Sequence, residues 1–177
     1  LAHATAAGNQ LPNSDFESWN DDYTPGGLWS SGNNSFTKDL LSRDQDGRTG
    51  NCAKAQSKAA VGKFAAGNLF TGEFLGIDMA SMSGKVKFGK TFTFNGRPKS
   101  LSFYMKNKEG NITHGAGNPI SGTDVYSAIV LITNGATYTV DTTDESTFLK
   151  FDDLKNLDGV IAYGYVSGSE SNETWTL

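Results

Sequence analysis

KTFTFNGRPKSLSFYMK, residues 90–106, reads as two short strands about a turn. Phe92 and Phe94 alternate with threonines, and Leu101, Phe103 and Met105 alternate with Ser102, Tyr104 and Lys106. A period of two sends such sets to opposite faces of a strand, one buried and one wet. NGRP (95–98) supplies turn chemistry between the two.

The same signature recurs along the chain. LFTGEFLGI (69–77), KVKF (85–88), DVYSAIVLIT (124–133), ATYTV (136–140) and GVIAYGYV (159–166) are short and rich in β-branched or aromatic residues. Gly, Asn, Pro and Ser clusters bound them. Helical periodicity is confined to TFLKFDDLKNLDG (147–159), enough for one or two short turns closed by Gly159. Many short strands in one domain predict an all-β chain, an antiparallel β-sandwich of jelly-roll type. Residues 13–177 form that domain, and residues 1–12 read as a flexible tether. ETWTL (173–177) is strand-like with no closing tail, so further strands are expected beyond residue 177.

Composition narrows the function. The 177 residues carry 15 Lys+Arg against 19 Asp+Glu, a net charge of −4 with the signs mixed. That offers no basic footprint for nucleic acid and no polybasic patch for an anionic membrane. No apolar run reaches the 18 or so residues of a spanning helix. Glycine supplies 21 residues, well above the usual ~7%, and marks frequent changes of direction. One cysteine, Cys52, excludes an intrachain disulfide framework and reads as a small packed hydrophobe. Nothing in the sequence sets an oligomeric state.

Catalytic and metal motifs are thin. There is no G-x-S-x-G elbow, and the two histidines, His3 and His114, lie in a tail and a Gly-rich loop. SRDQDGRTGN (42–51) begins like a calcium loop but places Ser42 first and Ala53 twelfth, where a carboxylate is required. It reads as a turn between strands. A glycoside hydrolase needs two carboxylates about 5–10 Å apart. Asp15, Glu17, Glu73 and Asp78 are candidates, but no spacing pairs them.

NSDFESWNDDYTPGGLWSSGN (13–33) is different, with two of the three tryptophans set among polar residues. Sugar recognition needs flat aromatic faces for C–H surfaces and polar side chains for hydroxyls. Trp19, Tyr23 and Trp29 with Asn20, Asn33 and Asn34 supply such a set here, and Tyr104 is a further candidate. Within it, Trp29 is read as a core plug, and Trp19 with Tyr23 as the platform.

With those residues in view the chain resembles the putative carbohydrate metabolism domain (PCMD) family of Bacteroidetes. The resemblance rests on Asn13, Asp15, Phe16, Glu17 and Trp19, then Pro25, Trp29, Ser31 and Asn33. FAAGNLFTGEF (64–74), FNGRPKSLSFYMK (94–106), IAYG (161–164) and ETW (173–175) extend it over roughly residues 13 to 177. It implies an exported jelly-roll domain, lipid-anchored at the cell surface or in the periplasm, whose partner is a glycan or polysaccharide. An N-x-D-F-E opening is also similar to that of jelly-roll carbohydrate-binding modules with a galactose-binding-like fold. That likeness implies a structural Ca²⁺ held by Glu17, with Asp15 as the second candidate.

The expected function is therefore a non-catalytic glycan-binding module linked to polysaccharide metabolism. A carbohydrate-active enzyme such as a glycoside hydrolase is the first rival. A structural or adhesive surface domain is the second.

Overall fold

The structure, a computed structural model, describes residues 11–60, 62–93, 98–114 and 121–177. In chain order its first strands are β1 (Trp29–Ser30), β2 (Leu41–Asp44), β3 (Cys52–Ala55), β4 (Lys58–Ala60), β5 (Lys63–Ala65) and β6 (Phe70–Asp78). Then come β7 (Ser83–Phe88), β8 (Met105–Asn107), β9 (Tyr126–Thr133), β10 (Tyr138–Asp141), β11 (Val160–Gly168) and β12 (Asn172–Thr176). Two 3-10 turns, Glu145–Thr147 and Phe151–Asn156, are the helical content of the described residues. The chain is all-β, every ladder is antiparallel, and the arrangement is compatible with a sandwich. It divides into two compact units, Leu1–Arg97 with Gly135–Lys150, and Pro98–Asn134 with Phe151–Leu177.

In the first unit a sheet runs in the order β1-β6-β7-β10, beside the hairpins β2-β3 and β4-β5. Local chemistry explains the β6-β7 hairpin. The Asp78 Oδ1 accepts the backbone N–H groups of Ala80 (2.7 Å) and Ser81 (3.0 Å), which turns the chain at the end of β6. The register slips between Phe74 and Gly76, so Leu75 bulges outward to solvent. Gly76 has φ 113°, which a side chain would resist. Phe70 and Phe88 meet edge to face at 5.1 Å across β6 and β7. Leu40 and Leu41 at the start of β2 are buried here.

The second unit holds β9 paired with β11 and β8 paired with β12. Ile161 is bulged out of the β9-β11 ladder and is 69% exposed. The Phe151–Asn156 turn buries Leu154 completely and lays Phe151 flat on Tyr165, 4.5 Å between ring centres. Gly159, at φ 77°, then reverses the chain into β11. This is the turn expected within 147–159.

The stretch 90–106 departs from its reading. Residues 90–93 form no strand, Phe94 to Arg97 fall outside the described residues, and the second strand begins only at Met105. Leu101, Phe103 and Tyr104 are 50%, 41% and 45% exposed. Alternation selects a face, but a strand also needs a partner. The short β8 finds its partner in β12, and no ladder reaches residues 101–104. Conversely β1, β4 and β5 carry too little β-branched or aromatic sequence to announce themselves. Pairing alone makes them strands.

Candidate functional site

The segment before β1 is wound by its own side chains. Asn13 and Phe16 adopt positive φ (53° and 56°). The Asn13 amide donates to the carbonyls of Ser18 (2.9 Å) and Gly26 (3.1 Å) and accepts the Ser18 N–H (2.9 Å). A β-bridge between Trp19 and Pro25 closes a loop whose neck is the Gly26 N–H on the Ser18 carbonyl, 2.9 Å. Gly26 fits there because a Cβ would stand 2.7 Å from the Ser18 hydroxyl. Asp21 accepts the Tyr23 N–H (2.7 Å) and the Thr24 hydroxyl (3.1 Å), which shapes the tip. The Tyr23 N–H is also the main reason that the Asp21 carboxyl lies below the usual carboxylate range.

Both tryptophans are anchored by their indole N–H groups. Trp19 donates to the Phe16 carbonyl (2.6 Å) and Trp29 to the Pro12 carbonyl (3.1 Å). Trp29 also leans on Phe16, with 5.1 Å between ring centres. Asn33 ties the loop to the core. Its amide donates to the carbonyls of Tyr23 (3.0 Å) and Leu41 (2.8 Å) and accepts the Leu41 N–H (2.9 Å).

These anchors leave a cavity of about 320 Å³ in the first unit, at the lower end of the range for small-ligand pockets. Tyr23, Trp29 and Asn33 line it, together with Glu73 and Phe74 of β6 and Lys90 beyond β7. β1 begins only at Trp29, opposite Thr71, while β6 runs on to Asp78, and the cavity lies against Gly72, Glu73 and Phe74 on that stretch. Gly72 forms part of the wall. A Cβ there would lie 2.2 Å from the Lys87 carbonyl oxygen.

The polar groups of the lining divide into two kinds. Asn33 and the Trp29 indole N–H are engaged internally. Among the described residues the side chains of Glu73, Lys90 and Tyr23 have no hydrogen bond or ion pair. Glu73 is also the one carboxylate of the lining.

The sequence candidates thus separate. The structure brings Tyr23, Trp29 and Asn33 to one cavity, and Trp19 is not part of its lining. Trp29, read as a plug, is half-buried and is also one of the lining residues. Tyr104 belongs to the second unit, in the irregular stretch before β8. The Glu17 carboxylate accepts the backbone N–H and the side-chain amide of Asn51, each at 2.8 Å. Asp15 accepts the Glu17 N–H at 3.4 Å. A cation wants oxygen ligands, whereas Glu17 faces N–H donors on both oxygens. No three His, Cys, Asp or Glu gather around a metal position among the described residues. The donor set therefore does not fit calcium. Lys90 escaped the sequence reading because nothing local distinguishes it from other surface lysines.

No described helix is long and apolar enough to cross a membrane. The family model described as putative carbohydrate metabolism domain (PCMD) matches residues 9–177. No curated protein and no solved structure matches the chain.

Proposed function

The chain belongs to this carbohydrate-metabolism family, and from that premise we propose that it is a non-catalytic glycan-recognition module. Its place is outside the cytoplasm, at the cell surface or in the periplasm, held there by a lipid anchor. The observation that carries the reading is the cavity itself, whose lining combines the aromatic residues Tyr23 and Trp29 with polar side chains that have no partner among the described residues. Rings of this kind stack on sugar C–H faces, and the unengaged heads exchange hydrogen bonds with hydroxyls.

Binding is favoured over hydrolysis by the carboxylates. Acid–base cleavage of a glycoside uses two, about 5–10 Å apart across the bond. The described lining provides Glu73 alone. One aromatic contact contributes about 0.5–1.5 kcal/mol beyond area burial, so a single site of this size binds weakly, on the order of µM to mM. Neighbouring modules would raise that by avidity.

A glycan array probed with the wild type, Trp29→Ala and Tyr23→Ala tests the reading. The expected result is a defined set of bound glycans that weakens about three- to ten-fold in either variant. A folded wild type that binds no glycan overturns it.

A further inference from the structure

The two charged residues of the cavity carry a specificity. Glu73 stands on β6, and Lys90 follows Gly89, whose N–H bonds the Thr71 carbonyl at 2.9 Å. Lys90 therefore enters beside the start of β6, about 7–10 Å along that strand from Glu73. The two residues line one cavity, make no ion pair with each other, and their side chains have no partner elsewhere among the described residues. Glu73 is paired in register with Lys87, and no salt bridge joins those two either. Glu73 thus brings a hydrogen-bond acceptor and Lys90 a donor to a lining that also includes Trp29.

We propose that Glu73 and Lys90 select uncharged sugar residues and discriminate against both uronic acids and amino sugars. The inference rests on the glycan-binding reading and names the substrate class of that site. A neutral sugar carries hydroxyls that donate to the carboxylate and accept from the ammonium, so both heads are satisfied at once. A uronate gains Lys90 but meets Glu73, and an amino sugar gains Glu73 but meets Lys90. Like charges brought together work against binding of the wrong ligand, which is how a balanced pair produces specificity.

Calorimetric titration with glucose, galactose and mannose oligosaccharides tests this, each series supplied in neutral, uronic-acid and amino form. In whichever series binds, the neutral member should bind tightest, with an affinity that barely changes between low and high salt. Glu73→Gln should improve the uronate relative to the neutral sugar by about three- to ten-fold, and Lys90→Gln should do the same for the amino sugar. Both residues are exposed, so neither variant threatens folding. A wild type that prefers a charged sugar, or variants that leave the ratios unmoved, overturns the specificity while the glycan reading stands. Absence of binding in every series overturns both.

Discussion

Glu17 accepts two hydrogen bonds from one residue, Asn51, whose backbone N–H and side-chain amide each lie 2.8 Å from a different carboxylate oxygen. Gly50 makes room for this, since a Cβ there would stand 2.1 Å from Oε1. The N-terminal segment is thereby tied to the loop between β2 and β3, 34 residues away in sequence.

The first prediction follows from that tie. Glu17→Ala should destabilise the fold by about 1 kcal/mol, because two exposed hydrogen bonds to a charged group are lost. Chelators and added calcium should leave the melting temperature of the wild type unchanged. A calcium-dependent rise that disappears in Glu17→Ala would instead assign the carboxylate to a cation.

Asn33 is more demanding than Glu17. It makes three part-buried or loop-closing hydrogen bonds, two of them to fully buried Leu41. Asn33→Ala leaves the Leu41 N–H and carbonyl without partners, at a cost of about 2–3 kcal/mol. Asn33→Asp keeps the acceptor and loses the two donors. It should therefore fall between the wild type and the alanine variant in urea unfolding. Equal stability of all three would show that the clasp contributes nothing.

Gly72 tests the cavity wall by another route. Gly72→Ala drives a methyl group against the Lys87 carbonyl oxygen, 2.2 Å away, inside the β6-β7 ladder. The strands must separate locally, costing about 1–3 kcal/mol. Hydrogen exchange should show the loss of protection concentrated in β6 and β7, with β9 and β11 unaffected. Uniform loss across the chain would mean that the two strands are not the seat of the strain.

The sequence made some of this legible and hid the rest for physical reasons. β6, β7, β9, β10 and β11 were readable because a half-buried strand demands β-branched and aromatic residues. The turn at 151–156 was readable from the helical periodicity of 147–159 and the closing Gly159. The strand expected over 100–104 failed because alternation records which side is apolar, not whether a neighbour pairs with it. At the site, Tyr23, Trp29 and Asn33 were legible as an aromatic and amide cluster within one short stretch. Lys90 was not, because it reaches the cavity through the Gly89–Thr71 hydrogen bond, a contact between distant parts of the chain. The engaged state of Asn33 was equally hidden, since an amide in sequence does not reveal whether its donors face ligand or backbone.

The last prediction concerns pH and the pair Lys85–Asp141, which face each other across β7 and β10 at 2.8 Å. The Lys85 ammonium, followed by the Thr143 hydroxyl and N–H, holds the Asp141 carboxyl far below its ordinary value of 3.8. The same hydrogen bond raises Lys85 above 10.5. A depressed carboxyl binds fewer protons when folded, so its stabilisation is complete above about pH 5 and is lost as pH falls further. A raised lysine works in reverse, stabilising below about pH 10 and losing that contribution as pH rises through its folded value. Asp78 is also depressed, by the Ser81 and Ala80 N–H groups, so it adds to the acid limb alone. Urea midpoints of the wild type should therefore fall more steeply than those of Asp141→Asn below about pH 4, and residual slope in the variant belongs to carboxylates such as Asp78. Both partners are partly exposed, so high salt should narrow the difference between the two proteins. Parallel curves for the two at low salt would remove the pair from the account of acid stability.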